Sequence, residues 1–407
     1  MATLFRESNV IKFYRLWVST ASSNFGDGLL RVLLPLLALA WGASGFEVSV
    51  VVASSYLPWL FGSLLIGVFV DRLNRSTIIR AANAIRVLAT FALLAVTVAD
   101  LASIPLLVAL ALVYGVAEVA ADLSSQSAVS QVVENEQLES AYGRISVSQV
   151  VANTLVGPAV AGLLFGRTQA AVIGLICACY VVAGLSVPAT PDSDQDTPKP
   201  WAPRQIWREL RIGVSAVTSH SWLRRAALSV GVMNFASGAN AALLVTYAVS
   251  PGPLRLTTGE YGLLLAALGI GSMTGSAVAA RVTRLLGESH AVAVGVGGLL
   301  TTIAAPGLSD NVWVIALLMT AGSAVGTLFG VKVISMRQRS VSNELLGRVN
   351  SAFQFVGIGS APLGATFGGL LASMVGIRPV FLLLSAVAAL TVLLLRPWRR
   401  EPVSVAA

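Results

Sequence analysis

The sequence predicts an all-α membrane protein, with twelve transmembrane helices in two six-helix pseudo-symmetric bundles, and three observations carry that prediction. Of the 407 residues 56% are hydrophobic and only 11% charged, whereas about a quarter of a soluble domain is charged. Apolar runs of about 20 residues, long enough to cross a hydrocarbon core of roughly 30 Å as a helix, recur along the chain between short polar gaps. The two halves of the chain also resemble each other.

In order, the spans read 15–41, 47–70, 78–99, 104–126, 143–166, 169–189, 224–249, 260–283, 290–308, 312–336, 350–374 and 377–396. The first follows Arg6, Lys12 and Arg15 and contains Asp27 and Arg31; it outruns a signal-peptide core and reads as a retained span. Cys177 and Cys179, inside the sixth, stand two residues apart and so share no helix face, which reads as inert core thiols. Pro188 to Pro203 interleaves prolines with Asp192, Asp194 and Asp196, a composition that buries no core and reads as a linker. After it, Ile206, Trp207, Leu210, Val214 and Val217 recur at helical spacing among Arg204, Arg208 and Arg211, which predicts an amphipathic helix on the membrane surface. The expected organisation is a bundle over 1–189, a cytoplasmic linker with its helix over 190–223, and a second bundle over 224–407.

The net charge of +8 falls mainly in alternate gaps. Arg72, Arg75, Arg80, Arg144, Lys199, Arg204, Arg208, Arg211, Arg224, Arg225, Arg281, Arg284, Arg337, Arg339 and Arg348 lie on one side, with both termini, while Arg167, Arg255 and Arg378 are the bases of the other. The positive-inside rule then puts both termini in the cytoplasm of a multi-pass protein in the inner membrane, and gives the basic residues a topological role instead of a nucleic-acid partner.

Internal similarity comes in two stretches. Asn24-Phe25-x-x-Gly28 aligns with Asn234-Phe235-x-x-Gly238 at an offset of 210, and Gly143-Arg144, Pro158 and Ala161 align with Gly347-Arg348, Pro362 and Ala365 at an offset of 204. Nearly equal offsets indicate a duplicated six-span unit, with the linker where the duplication needs it. Six spans per copy give both copies the same orientation, an arrangement suited to alternating access.

Between spans 2 and 3, Gly67-Val68-Phe69-Val70-Asp71-Arg72-Leu73-Asn74-Arg75 resembles the signature loop of the major facilitator superfamily, G-x-x-x-D-R-x-G-R-[RK]. Asn74 stands for the turn glycine and Ser76 for the last base. The resemblance implies the superfamily's fold and a conformational latch: Gly67 and Asp71 in the loop, Asp71 against span 11 near Arg348, and Arg72 or Arg75 against an acid of span 4, for which Asp122 is placed. Span 5 carries Asn153-x-x-x-Gly157-Pro158-x-x-x-Gly162, similar to a reduced antiporter motif, where small residues let helices approach and the proline frees a carbonyl for bending; plain packing is the competing reading. Asn-Phe-Gly-Asp-Gly in span 1 and Glu344-x-Leu346-Gly347-Arg348-Val349-Asn350-Ser351 resemble the branch holding the enterobactin exporter and macrolide efflux proteins. That branch implies export of a small, often amphipathic molecule, antibiotic resistance among its outcomes, and a monomer.

Six ionisable side chains fall within spans: Asp27, Arg31, Arg86, Glu118, Asp122 and Lys332. Each costs on the order of 2.5–3.5 kcal/mol at a helix centre on insertion scales. Asp27 and Glu118 are the candidate proton carriers. The alternative is a set of static pairs, Asp27–Arg31 one helical turn apart and Glu118–Arg86, that fix packing. Lys332 reads as a snorkelling base. Asn24, Gln149, Asn153, Asn234 and Gln354, with Tyr56 as an aromatic wall, are the substrate-cavity candidates, or else interhelical glue.

None of the lysines Lys12, Lys199 and Lys332 follows a glycine, so no phosphate-binding loop for ATP is present. No H-E-x-x-H or G-x-S-x-G occurs, which argues against a zinc protease or an elbow hydrolase. The sequence therefore predicts no enzyme, no cofactor and no metal, but a secondary transporter with a small-molecule substrate, protons and the lipid bilayer as partners. Three functions stay open: proton-driven export, uptake of a nutrient, or a transporter-like receptor without flux.

Overall fold

The computed structural model describes residues 2–70, 73–189, 203–341 and 343–394. Every named element is helical: α1 Ala2–Ala40, α2 Gly45–Val70, α3 Arg75–Val98, α4 Ile104–Val132, α5 Leu138–Val150, α6 Gly157–Phe165, α7 Gln169–Ser186, α8 Pro203–Ser219, α9 Ser221–Ala248, α10 Thr258–Leu286, α11 Glu288–Leu308, α12 Val312–Ser340, α13 Asn343–Val375 and α14 Ile377–Leu394. Among the described residues ten helices are long and apolar enough to cross a membrane, and α5 and α6 count as one of them, Leu138–Phe165. Several helices outrun the apolar runs that predict them. α4 continues to Val132 and α12 to Ser340, so helical hydrogen bonding runs on past the apolar stretch into polar sequence.

Local chemistry explains the helix starts. Asn74 caps α3 by accepting from the Thr77 amide at 3.2 Å, and Asn311 caps α12 through Trp313 and Val314. Ser44 and Glu47 form a reciprocal capping box before α2, with the Ser44 amide donating to Glu47 at 2.8 Å and the Glu47 amide to the Ser44 hydroxyl at 3.3 Å. Thr257 and Glu260 repeat it before α10, at 2.8 and 3.2 Å. This third match of the two halves, at an offset of 213, is one that the sequence reading passed over.

The chain divides into two compact units, the first of residues 1–43, 57–201 and 257–266, the second of 44–56, 202–256 and 267–407. In the first, α1 packs on α4, α6 and α7, and α3 on α4 and α7. The carbonyl end of α7 gathers donors from two other helices: Arg15 and Arg80 on Val187 at 3.3 and 3.0 Å, and Ser76 on Pro188 at 2.7 Å. In the second, α9 packs on α13 and α14, α11 on α12 and α14, and α8 on α13, where a Cβ on Gly213 would meet the Arg348 carbonyl at 2.3 Å. The amphipathic segment is thus a helix seated on α13.

Between α5 and α6, Val151–Val156 is a π-helical turn, closed by the Gly157 amide on the Ala152 carbonyl. Pro158 follows directly, and its missing N–H disrupts the regular ladder there. Two helix crossings depend on glycine. A Cβ on Gly28 of α1 would meet the Ala152 carbonyl at 2.5 Å, and one on Gly238 of α9 would meet the Ala361 carbonyl at 2.2 Å.

Candidate functional site

The first unit holds a charge cluster at its centre. Asp27 of α1 is 3% exposed and Arg86 of α3 fully buried, and they pair at 3.4 Å. Tyr180 of α7 donates its hydroxyl to Asp27 Oδ1 at 2.8 Å, and the Arg86 guanidinium lies 5.0 Å over the Tyr180 ring. Arg86 also donates to Ser23. Arg31, one turn beyond Asp27, reaches Glu118 of α4 at 2.9 Å. The expected pairs are therefore exchanged: Asp27 and Arg31 share a helix face yet turn to different helices, α3 and α4.

Asp122 joins the same cluster. It is buried on α4 one turn beyond Glu118, within electrostatic reach of Glu118, Asp27, Arg86 and Arg31, and accepts from Gln149 at 3.4 Å. Among the described residues no ion pair links it to Arg75. Asp71 and Arg72 lie outside the described residues, as do the surroundings of Gly67. Next to the cluster, Asn153 on the π turn donates to Asn24 Oδ1 at 2.7 Å, and Asn24 donates to the Thr20 carbonyl at 2.9 Å. Asn24 and Asn153 thus bond each other, and Gln149 bonds Asp122.

A second feature lies in the second unit, a cavity of about 550 Å³ between α9, α10, α11, α12 and α13. Asn234 and Gln354 line it, together with Ser272, Thr302, Ser323, Thr327, Phe353 and Arg337. Tyr56 instead packs on Val52, Ala53, Ala242 and Ala365. Lys332, expected to snorkel, is 8% exposed and sits 3.7 Å from Glu288, which also meets Arg339 at 3.3 Å. The first unit has its own hollow, about 940 Å³, walled by Phe13, Tyr14, Trp17 and Phe25 of α1 and by α5.

The family profile of the Major Facilitator Superfamily matches residues 16–356. The chain belongs to the major facilitator superfamily. Its members are membrane transporters, so this chain is a transporter that takes a small-molecule substrate across a bilayer and is not an enzyme. The structure is similar to the nucleoside transporter NupG (TM-score 0.73, 12% identity, 94% of this chain and 98% of that one). It is also similar to a bacterial homologue of the iron transporter ferroportin (0.68, 16%, 95% and 98%) and to the human organic anion transporter MFSD10 (0.63, 17%, 95% and 99%). At these identities the likeness is one of fold. No curated protein sequence matches the chain.

Sequence reasoning missed Tyr180, Ser23 and the hydroxyl lining of the second cavity. Tyr180 was hidden by its apolar run, although a tyrosine there needs a partner for its hydroxyl. Arg337 was counted with the polar gap after span 10, but α12 carries it on a continuous helix.

Proposed function

We propose that this transporter is a secondary active exporter of a small organic molecule, such as a drug, siderophore or other secondary metabolite, driven by proton antiport and working by alternating access. One observation carries the coupling: around buried Asp27, Asp122 and Arg86, with the partly exposed pair Glu118 and Arg31 beside them, three carboxylates stand against two guanidiniums. With all five ionised the cluster holds one negative charge in excess inside a medium that penalises unpaired charge. Binding one proton balances it and losing that proton unbalances it, so proton occupancy biases whichever conformation opens the cluster to water. Asp27 and Glu118 are the carriers, with Asp122 as the third carboxylate they share the charge with.

The direction, outward, is supported by the span 1, span 5 and Glu344–Ser351 motifs. The same reading gives a monomer in the cytoplasmic membrane, termini inside, with twelve spans in bundles over 1–189 and 224–407 and a linker over 190–223. The loop of Gly67, Asp71, Arg72 and Arg75 acts with Arg348 as the latch.

The test is accumulation of a panel of dyes, antibiotics and siderophores in cells making the wild type, Asp27→Asn or Glu118→Gln, before and after collapse of the proton gradient. Export predicts compounds held low only by the wild type and only while the gradient stands. Normal proton-driven efflux by both variants overturns the assignment of the carriers; uptake that is downhill and independent of pH overturns export.

A further inference from the structure

The cavity of the second unit has a chemistry of its own. Its hydroxyls are already spent as donors: Ser272 gives its proton to the Gly269 carbonyl at 3.0 Å, Thr302 to Gly298 at 3.1 Å, Thr327 to Ala324 at 2.8 Å, and Ser323 to carbonyls at 3.0 Å. A hydroxyl has one proton, so each of these faces the cavity as an acceptor only. Asn234 likewise donates to its own helix, at the Val230 carbonyl, 2.9 Å away, and leaves its carbonyl oxygen over.

The one charged side chain among the residues lining this cavity is Arg337. Its guanidinium is held 4.8 Å over the Phe353 ring, Nε is buried without a hydrogen-bond partner, and no carboxylate pairs with it among the described residues, since Glu288 is taken by Lys332 and Arg339. A guanidinium fixed by an aromatic face, with no carboxylate partner among the described residues, is a ready fork for an anionic group. The duplication explains why the space is open. Asn153, which fills the first unit's crossing by bonding Asn24, corresponds at the 204 offset to Gly357, and Asp27 corresponds at 210 to Ser237. Loss of the amide and of the carboxylate leaves Asn234 facing a hollow, with Ser237 and Gly357 in its wall.

We propose that this cavity is the binding site for a hydroxylated organic acid, its carboxylate on Arg337 and its hydroxyl protons directed at Asn234 and the four back-bonded hydroxyls. The volume, about 550 Å³, lies in the range of sites that enclose a drug-sized ligand, about 300–1,000 Å³. The inference deepens the transport reading by naming a substrate class.

The experiment is equilibrium binding to the full chain in lipid nanodiscs with three fluorescent probes: methylumbelliferyl glucuronide, which has hydroxyls and an acid; methylumbelliferyl glucoside, which has the hydroxyls alone; and 7-methoxycoumarin-4-acetic acid, which has the acid alone. The wild type is expected to bind the glucuronide at least about tenfold more tightly than either relative. Arg337→Gln should remove that preference, Arg337→Lys should keep part of it, and Arg339→Gln should leave it unchanged. Equal binding of glucuronide and glucoside overturns the proposal, as does glucuronide binding untouched in Arg337→Gln, or none by the wild type. The first comparison uses only wild-type protein, so a variant that does not fold leaves the test intact. Binding needs no gradient, so loss of proton-driven flux leaves this proposal standing and its own failure leaves the export reading standing.

Discussion

Replacing Arg86 by Met should destabilise the protein more than any other single change to the charge cluster, and burial decides this, not distance. The Arg31–Glu118 contact is the shorter, 2.9 Å against 3.4 Å, but its side chains are 42% and 14% exposed whereas those of Arg86 and Asp27 are 0% and 3%. At an effective dielectric of about 20, opposite charges at the longer distance attract by about 5 kcal/mol before desolvation is subtracted. Around Arg31, water competes and about 0–1 kcal/mol survives. Arg86→Met would leave the Asp27 carboxylate with the Tyr180 hydroxyl as its remaining partner, and would remove the guanidinium from Ser23 and from the Tyr180 ring. Removing one member of a buried pair costs about 3–5 kcal/mol. Neutralising the other as well, in Asp27→Asn/Arg86→Met, should recover at least about 2 kcal/mol of that loss. Unfolding by SDS titration in mixed micelles, on the wild type, both single variants, the double variant and Arg31→Met, measures each of these differences. Arg86→Met within about 1 kcal/mol of wild type, or Arg31→Met the costlier of the two, would refute the reasoning.

Further predictions follow from packing and capping. Gly28→Val and Gly238→Val should each cost about 1–3 kcal/mol by driving a side chain onto the Ala152 or Ala361 carbonyl, while Gly143→Ala, with nothing within 4 Å of its Cβ, should leave the unfolding midpoint in place. Ser44→Ala and Thr257→Ala should each lower stability by about 0.5–2 kcal/mol through loss of matching caps, and a loss confined to one of them would break the equivalence of the two helix starts. Glu288→Gln should destabilise by about 1 kcal/mol through Lys332 and Arg339, and by less in a Lys332→Met background, which a four-variant cycle of melting temperatures would detect.

What the sequence made legible was whatever depends on one helix at a time. Apolar runs marked helices, ten of which are long and apolar enough to cross a membrane among the described residues, and Gly28 and Gly238, aligned by the 210 offset, both stand at close helix crossings. Asp27 and Arg31 were correctly taken as neighbours on one face. Their partners were not legible, because these depend on how α1 is rotated against α3 and α4, and spacing within α1 says nothing of that. The end of α4 was not legible either: an apolar run marks where lipid-compatible sequence ends, whereas α4 continues to Val132, ten residues past Asp122. The lining of the second cavity escaped because serine and threonine in apolar helices bond back to their own carbonyls, so their presence signals a polar site only once several are seen to face one space.

The two copies have diverged in opposite directions from one crossing. At the positions of Asn24 and Asn234 the asparagine is kept, and at Gly28 and Gly238 the close approach of backbones is kept, so the scaffold of the crossing is common to both. Around it the first copy has Asp27 and Asn153, and the second Ser237 and Gly357. Charge in a buried site is costly unless partnered, and the first unit partners Asp27 with Arg86 and Tyr180 and Glu118 with Arg31, which leaves its crossing filled by polar and charged side chains. The second unit, relieved of the acid and of the amide, has no such charge to match and keeps a hollow in which one guanidinium is left over. If coupling and recognition are divided in this way, Asp27→Asn should abolish the dependence of flux on the proton gradient while glucuronide binding stays within about twofold of wild type, and Arg337→Gln should do the reverse. Loss of both properties in either variant would mean that one site serves both tasks.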